Sequence, residues 1–457
     1  MINWMAAFLT TSINIALRDI KVEFHLGAVA LGWVPLCYIL AMGIVLVPLG
    51  KVADTVGRRL IFMIGLWIIF ITGVALVLVH SYTLLVVFRF LQGVGSGTVF
   101  ASATAIVALA YPPERRGFAM GIMAMTAYAG QSMGPILGGV IVDNIGWRSI
   151  FLVGACYTLV TIVLDLWLLK RAEWKDEQKH SFDWPGSIAY AAFLPAFLLG
   201  LSWLPLVRGL VLSVIGVVGL AGFFWWETRV PGPVLDVRLF RHNRLFALSN
   251  LTALISYASV WAMTYLMALY LELIKGLNAE TAGLVLVAGV VLQTVLSPFG
   301  GRLSDRIQPR WVVSIGMGFC VLGLAVLSFL DTSTPYSVII VALCMMGIGY
   351  AFFSGPNQAA IMGSVERKDV GLAGASVGTM RVVGQALSVA LATLIMAVVV
   401  GRHEIQAPDY PHFLTALHIT FAIMAGLCAV SVLVSLVRGD VKRQESASDT
   451  VAPVTEA

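Results

Sequence analysis

The chain has 457 residues, of which 59% are hydrophobic and only 12% are charged. Because soluble domains carry about 25% charged residues, this composition excludes an ordinary water-soluble globular protein. The formal net charge of +5 does not indicate a nucleic-acid partner, since the basic residues are dispersed through short loops and form no single basic patch.

Fourteen apolar runs of roughly the length that crosses a bilayer follow one another along the chain. They are 2–17, 29–49, 60–79, 83–110, 118–142, 149–169, 185–204, 209–226, 244–272, 280–300, 311–330, 335–362, 373–400 and 413–437. Helices are expected, because a span in lipid must satisfy its own backbone hydrogen bonds. The fold class is therefore predicted to be an all-α integral membrane protein with about fourteen transmembrane helices.

The first run is short and has no basic leader before it, so a cleavable signal peptide is not predicted. It is either a short first helix or the remainder of a longer one. Of the 29 lysines and arginines, 21 fall in loops and the tail on one side, six on the other side, and two, Arg89 and Arg381, inside spans. The positive-inside rule then predicts a plasma-membrane protein with both termini in the cytoplasm.

A charged loop led by a glycine occurs twice, once in each half of the chain. Gly50–Arg59 (GKVADTVGRR) follows the second run, and Gly301–Arg310 (GRLSDRIQPR) lies 251 residues later. Four glycine pairs repeat at an offset of 254 residues: Gly93 and Gly347, Gly95 and Gly349, Gly117 and Gly371, Gly130 and Gly384. Such repeats are typical of secondary transporters, which bind substrate where the halves meet.

The repeat predicts two six-helix bundles with two extra helices inserted between them. The segments are an N-terminal bundle 1–169, a cytoplasmic linker 170–184, two inserted helices 185–226, a second linker 227–243, a C-terminal bundle 244–437 and a polar tail 438–457.

The loop residues Gly50, Asp54, Gly57, Arg58 and Arg59 occupy the signature positions of a known family. On these residues the chain resembles the major facilitator superfamily over essentially its whole length, and in particular its fourteen-span drug/proton antiporter branch. The resemblance implies that this loop closes a cytoplasmic gate. The chemistry agrees, because an aspartate can bind the N–H groups at a helix N-terminus and pair with an arginine.

The second copy of the loop keeps Gly301, Asp305 and Arg306. It has Gln308 and Pro309 where the first copy has Gly57 and Arg58. This departure predicts a weaker second gate.

Two further segments extend the resemblance. Arg89–Gly95 (RFLQGVG) resembles the motif of the fourth helix, whose arginine the family uses in proton coupling. A charged side chain inside a span usually faces an aqueous cavity or a partner. Arg89, Gln92 and Arg381 are therefore the candidate residues for coupling and translocation, although a structural arginine bonded to carbonyls fits the same position.

The segment Gly130–Gly139 (GQSMGPILGG) resembles the antiporter motif of the fifth helix. Its glycines and proline would allow bending and close packing where the two halves rock. Generic transmembrane glycine packing is the alternative. The motif residues are Gly130, Gly134, Pro135, Gly138 and Gly139.

Polar and aromatic side chains inside the spans form the candidate substrate cavity, although each alone could equally be a helix-packing group. They are Thr10, Asn14, Tyr128, Gln131, Tyr257, Trp261, Gln293, Asn357 and Gln385. Leu9 stands where the drug-exporting branch commonly has an aspartate, which argues against a cationic substrate. Asp165, Glu227, Glu272 and Asp331 lie near span ends, where an interfacial position is expected.

The leading expectation is a proton-coupled exporter of hydrophobic or amphipathic small molecules. A transporter of an organic anion or metabolite, and a non-transporting receptor on the same fold, remain open. No nucleotide loop or catalytic triad indicates an enzyme, and the cysteines and histidines have no metal-ligand spacing. We expect no cofactor, a proton gradient as the energy source, and a monomer whose partners are the lipid bilayer, protons and a small molecule.

Overall fold

The computed structural model describes residues 2–26, 28–168, 183–204, 206–230, 233–235, 237–277, 279–366, 369–401 and 407–440. The predicted linker before Asp183 and the tail after Asp440 lie outside the described residues. Within them the regular structure is helical. The α-helices are α1 (Ile2–Glu23), α2 (Ala28–Val56), α3 (Arg58–Val77), α4 (Tyr82–Ala110), α5 (Arg116–Ile145), α6 (Arg148–Leu168), α7 (Trp184–Ser202), α8 (Val207–Glu227), α9 (Val237–His242), α10 (Arg244–Leu269), α11 (Ala279–Arg306), α12 (Pro309–Leu327), α13 (Tyr336–Gly363), α14 (Val370–Val399) and α15 (Tyr410–Val437).

In the described part of the chain, twelve helices are long and apolar enough to cross a membrane. Helices α1 and α5 are 22 and 30 residues long but are not among these twelve, so the count of fourteen spans stays a prediction. The sequence did not predict α9 or the π-helical turn Tyr270–Ile274 that follows α10.

Helix α1 continues past the predicted end at residue 17 because its last residue is tied down. The carboxylate of Glu23 accepts hydrogen bonds from Trp147 Nε1 at 2.8 Å and from Arg148 Nη1 at 2.8 Å. These bonds join the end of α1 to the start of α6, so the polar turns beyond the apolar run remain helical.

Helices α1–α6 and α10–α15 pack in the same pattern. Helix α1 packs on α5, α2 on α4, and α3 on α4 and α6; in the same order, α10 packs on α14, α11 on α13, and α12 on α13 and α15. Repeated glycines make equivalent contacts: Gly93 lies against the carbonyl of Tyr38 on α2, and Gly347 against that of Gly289 on α11. A Cβ at either glycine would collide with backbone, which explains why glycine repeats there.

The two halves meet along two pairs of helices. We call the contact of α2 with α14 the first seam, and that of α5 with α11 the second seam. At the first seam Gly50 lies against Ala375, and at the second seam Gly117 lies against Gly301. Both crossings are at the end of the bundle that carries the two charged loops, which we call the loop end. The halves are therefore closed against each other at the loop end.

Helices α7 and α8 pair as a hairpin, and α7 packs on α2 and α14. The hydroxyl of Tyr190 on α7 donates to the carbonyl of Gly43 at 3.2 Å and lies 3.2 Å from the hydroxyl of Thr379. Leu194 and Leu198 of the same helix join an apolar cluster that includes residues of α2 and α14. The hairpin therefore covers the first seam.

Candidate translocation site and its closure

The first charged loop ties three helices together through Asp54, which is 4% exposed. Its Oδ1 accepts bonds from Arg58, at 2.6 Å from Nη2 and 2.8 Å from Nε. Its Oδ2 accepts the backbone N–H of Leu372, at 3.3 Å, at the start of α14. A side chain on Gly371 would collide with this carboxylate. The negative charge therefore lies at the partly positive N-terminus of a helix from the opposite half.

The turn between α2 and α3 is a single residue, Gly57. Its φ of 137° lies in a region that L side chains rarely adopt, so glycine is required for so short a turn. The next arginine, Arg59, donates to Asp165 Oδ2 at 3.0 Å and to the carbonyl of the same residue at 3.2 Å. Both loop arginines are thus paired with carboxylates of their own half.

The second charged loop makes the equivalent contact through Asp305. Its two carboxylate oxygens accept the backbone N–H groups of Gly117 at 2.7 Å and Phe118 at 2.8 Å, at the start of α5. Arg306 lies exposed at the end of α11. The sequence predicted a weaker second gate, but Asp305 binds the opposite helix through two short bonds where Asp54 makes one long bond. The relative strength of the two gates stays a prediction.

Arg89 of α4 is 1% exposed and packs inside the N-terminal half. Its Nη1 donates to Gln92 Oε1 at 2.7 Å, its Nε donates to the Val34 carbonyl at 3.3 Å, and its guanidinium lies 4.5 Å from the ring centre of Tyr38. Its Nη2 has no partner among the described residues. The structure thus places Arg89 and Gln92 together, bonded to α2 and away from Arg381.

The glycines of the fifth-helix motif face the first helix of their own half. A Cβ at Gly130, Gly134 or Gly138 would collide with α1. Gly139 has open space beside it, and the side chain of Pro135 lies outside the described residues. The α5 glycines that meet the opposite half lie nearer its start, at the second seam. The motif's expected position between the rocking halves is therefore corrected to a contact within one half.

A set of polar side chains from both halves comes together in the interior, and we call it the central polar group. Its members are Tyr128 of α5, Tyr257 of α10, Gln293 of α11, Ser354 and Gln358 of α13, and Arg381 of α14. The Tyr128 hydroxyl lies near the side chains of Gln293 and Ser354, and the Tyr257 hydroxyl near those of Ser354 and Gln358. Because Tyr128 belongs to one half and the others to the second, the group spans the boundary.

Arg381 supplies the positive charge of this group and lies close enough to Tyr128 and Tyr257 to act on both hydroxyls. Its guanidinium lies over the ring of Phe100 on α4, 4.1 Å from the ring centre. Among the described residues no carboxylate is within ion-pair distance of it. An arginine stays charged at physiological pH, so the site presents planar N–H donors without a matching anion.

Aromatic rings line the same region. The ring of Tyr257 lies 6.1 Å from that of Tyr350 and 5.8 Å from that of Phe353, both edge-on. Edge-on aromatic pairs of this kind are stable packing arrangements. The rings and the Arg381 guanidinium therefore lie close together in the interior.

Other predicted cavity residues have different surroundings. Thr10 donates to the Ala6 carbonyl of its own helix at 2.7 Å, and Asn14 is exposed. Trp261 is exposed as well, whereas Gln131 and Gln385 are partly buried. The structure does not bring these five side chains into the central polar group through any described hydrogen bond.

Asn357 was predicted to line the substrate cavity, but the structure gives it a different role. It is 2% exposed, donates to the Ser249 carbonyl at 3.1 Å, and accepts a bond from Arg438 Nη1 at 2.6 Å. Arg438 follows α15 and is itself buried, which lowers its pKa to about 9. Asn357 therefore joins α10, α13 and the end of α15, and its amide is occupied.

Ser354 and Gln358 were missed by sequence reasoning, although a signal existed. Tyr350, Ser354 and Gln358 are spaced by four residues and so share one face of a helix. That spacing indicates a polar stripe on α13, and in the structure the stripe faces Tyr257 of α10, which the sequence did predict as a cavity residue.

Comparison with known proteins agrees with this architecture. A family model described as the Major Facilitator Superfamily matches residues 1–263 and again 249–456. The "Riboflavin transporter RibZ" of Clostridioides difficile (strain 630) is 26% identical over 427 residues, which cover 93% of this chain and 92% of that protein. The "Multidrug resistance protein Stp" of Mycobacterium tuberculosis (strain CDC 1551 / Oshkosh) is 30% identical over 392 residues, covering 84% and 72%.

Among solved structures, a double tryptophan mutant of XylE superposes with a TM-score of 0.70. The match covers 97% of this chain and 96% of that chain at 14% sequence identity. At this identity the likeness concerns the fold alone, and it supports the two-half arrangement described above.

Proposed function

Because the chain belongs to the Major Facilitator Superfamily, we propose that it is a secondary active exporter of amphipathic small molecules. Membership makes it a multi-pass membrane transporter and not an enzyme, and its relatives are named as transporters. Export, the drug/proton antiporter branch and the fourteen-span organisation are the proposed part. The name of the relative Stp, a multidrug resistance protein, favours them.

The observation that carries the proposal is the central polar group. Side chains from both halves converge on Arg381, while the halves are closed together at the loop end. A site shared by two halves is loaded from one side and emptied to the other when the halves rock, which is alternating access. Opening the loop end requires Asp54 and Asp305 to release the helix starts that they bind.

The remaining parts of the proposal concern orientation, oligomeric state, segments and energy source, and the orientation follows from the placement of the basic residues. The loop end faces the cytoplasm, both termini lie inside, and the protein acts as a monomer in the plasma membrane. The segments 1–169, 185–226 and 244–437 serve as the moving half, the inserted hairpin and the second moving half. A proton gradient supplies the energy and no cofactor takes part.

A second candidate is a transporter of organic anions, and Arg381 is the observation that favours it. A guanidinium that has no carboxylate partner in the described part of the chain, and that lies beside tyrosine rings, fits a flat molecule that carries a carboxylate or phosphate. The presence of Leu9, where the drug-exporting branch commonly has an aspartate, agrees with this candidate.

Everted membrane vesicles energised by a proton gradient test both candidates, with a cationic dye and an anionic dye conjugate as probes. Arg381→Gln should reduce uptake of the anionic probe about ten- to a hundredfold, since a hydrogen bond to a charged group contributes about 1.5–3 kcal/mol. Arg208→Gln is the matched control, because that arginine stacks on Trp203 near the start of α8. Uptake of neither probe by folded protein would contradict export altogether.

A further inference from the structure

Four carboxylate side chains are buried among the described residues, and they fall into two classes. Asp54 pairs with Arg58, and Asp165 pairs with Arg59. Asp183 and Glu227, which are 5% and 1% exposed, make no ion pair with any described cation. Buried charges are normally paired, so the second class requires a different explanation.

Asp183 and Glu227 lie side by side where α7 begins and α8 ends, which is the end of the α7–α8 hairpin away from its connecting turn. Asp183 caps α7, accepting the N–H of Gly186 at 3.0 Å and Trp226 Nε1 at 3.0 Å. Glu227 ends α8, and its Oε2 accepts the N–H of Leu235 at 2.9 Å. A Cβ at Gly186 would collide with an oxygen of each carboxyl group, so both groups flank the same point.

The remaining oxygen of Glu227, Oε1, is buried and has no hydrogen-bond donor in the described part of the chain. Asp183 lies beside Glu227, but two carboxylates are both acceptors. Two adjacent carboxyl groups can bond only if one of them carries a proton, and like charges at this distance do not both ionise.

We propose that Asp183 and Glu227 form a proton-binding site, in which one proton is held between the two carboxyl groups. The proton is shared, so it belongs to the site and not to either residue. Release transfers the proton to water at the loop end and leaves two negative charges in contact.

The nearby arginines make other contacts and do not neutralise the two carboxyl groups through any described ion pair. Arg229 lies over the ring of Trp225 at 4.0 Å, and Arg238 donates to the Thr228 carbonyl at 3.4 Å. The charged side chains and the histidine at this end of the neighbouring elements are Lys51 and Asp54 on α2, Arg229 after α8, Arg238, Arg241 and His242 on α9, and Asp369 before α14.

The site is connected to the first seam by packing. Glu227 holds the N–H of Leu235, and Leu235 lies in one apolar cluster with Leu372 and Ala375 at the start of α14. The N–H of Leu372 is the group that Asp54 binds across the seam. Proton release would separate Glu227 from Asp183 and loosen the packing against the start of α14. This link to transport rests on the proposed proton coupling, whereas the site itself does not.

The first experiment measures proton binding in the purified full-length protein without a substrate. Infrared spectra at neutral pH should show the C=O band of a protonated carboxylic acid, and Glu227→Gln and Asp183→Asn should each lose it. Both changes keep side-chain volume and replace the proton by an amide hydrogen. Glu272→Gln is the control, because Glu272 is exposed near the end of α10.

Thermal unfolding against pH supplies the second readout. A proton bound more tightly in the folded state stabilises that state at acid pH, and the stabilisation is lost as the pH rises through the titration of the site. The unfolding temperature of the wild type should therefore fall with rising pH, while that of Glu227→Gln should fall less through the same range.

Transport separates failure of the site from failure of the proposed function. A band and a pH dependence that persist in both variants would overturn the proton site, whatever drives transport. If the variants lose the band while wild-type vesicles show no proton-driven uptake, the site stands and the proposed coupling fails. Loss of the band together with loss of proton-driven uptake supports both.

Discussion

The two seams are built from equivalent helices but are held by different contacts. At the first seam, Asp54 shares its charge between Arg58 and one peptide N–H of α14, and the α7–α8 hairpin lies over the contact. At the second seam, Asp305 binds two peptide N–H groups of α5, and Gly117 meets Gly301 directly.

The comparison shows that the two repeats keep the position of the aspartate, while the interactions that stabilise each seam differ. In both copies an aspartate reaches the N-terminus of a helix from the other half, where the helix dipole favours a negative charge. The first copy depends in addition on a buried arginine and a covering hairpin. The second depends on close backbone approach, which tolerates no side chain.

The largest effect is expected from Asp54→Asn, which leaves Arg58 buried without a counter-charge. Removing one partner of a buried ion pair destabilises by about 3–5 kcal/mol. Asp305→Asn should cost about 1.5–3 kcal/mol, because it weakens charged hydrogen bonds. The thermal unfolding of the two detergent-purified variants measures the difference. Equal destabilisation would mean that the two seams are held alike.

Glycine substitutions should reverse this order. Gly301→Ala would force a Cβ to 2.3 Å from the carbonyl oxygen of Gly117, whereas a Cβ at Gly50 would lie 2.7 Å from the methyl group of Ala375, which is a milder clash. Overpacking of this kind costs about 1–3 kcal/mol, so the second seam should open about ten- to a hundredfold more often. Spin labels at Glu114 and Ile307 would report a longer distance.

The matched control for that substitution is Gly283→Ala on the same helix, where a Cβ would meet open space. It should leave the label distance unchanged. If Gly50→Ala opens its seam as far as Gly301→Ala opens the other, the distinction between the seams is wrong.

A smaller effect is expected from Tyr190→Phe, which removes the bond between the hairpin and the first seam. One neutral hydrogen bond contributes about 0.5–1.5 kcal/mol, so labels at Val56 and Glu366 should show a modest shift toward separation. Labels across the second seam should not respond. Tyr265→Phe is the control, since that side chain is exposed.

The smallest effect is expected from an ion pair that belongs to neither seam. Hydrogen bonds from Arg148 hold the pKa of Glu23 below its ordinary value of 4.5. A lowered carboxyl pKa stabilises the fold above the unfolded value, and this is lost as the pH falls through the folded value. Because Glu23 is partly exposed, about 0.2–1 kcal/mol is at stake. In thermal unfolding, Glu23→Gln should match the wild type only at acid pH below the folded pKa of Glu23, and it should be less stable above pH 4.5.

Much of the fold could be predicted because the bilayer restricts the choices. Apolar runs predict helices, and paired glycines 254 residues apart predict equivalent helix crossings, which the structure has at Gly93 and Gly347. The positions of Asp54 and Asp305 were predictable for the same reason, since a charged loop after a span must satisfy the end of a neighbouring helix.

The rest could not be predicted, because it depends on which distant residues meet. Asn357 looks like a cavity residue until Arg438, 81 residues later, is placed against it. Glu227 looks interfacial until Asp183, assigned to a linker, is found beside it. The fifth-helix glycines predict close packing but do not say which helix they pack on.

The second seam is not covered by the hairpin, so lipid can contact the helix α11 that forms it. Val291, Val295 and Phe299 of α11 are each about half exposed on the surface beside that seam. Acyl chains therefore touch the helix that must move, so a change in bilayer thickness or lateral pressure acts on its position. The hairpin shields the other seam from this force. Lipid composition then enters the free energy of opening through one side of the protein, so the two seams should respond differently to the bilayer.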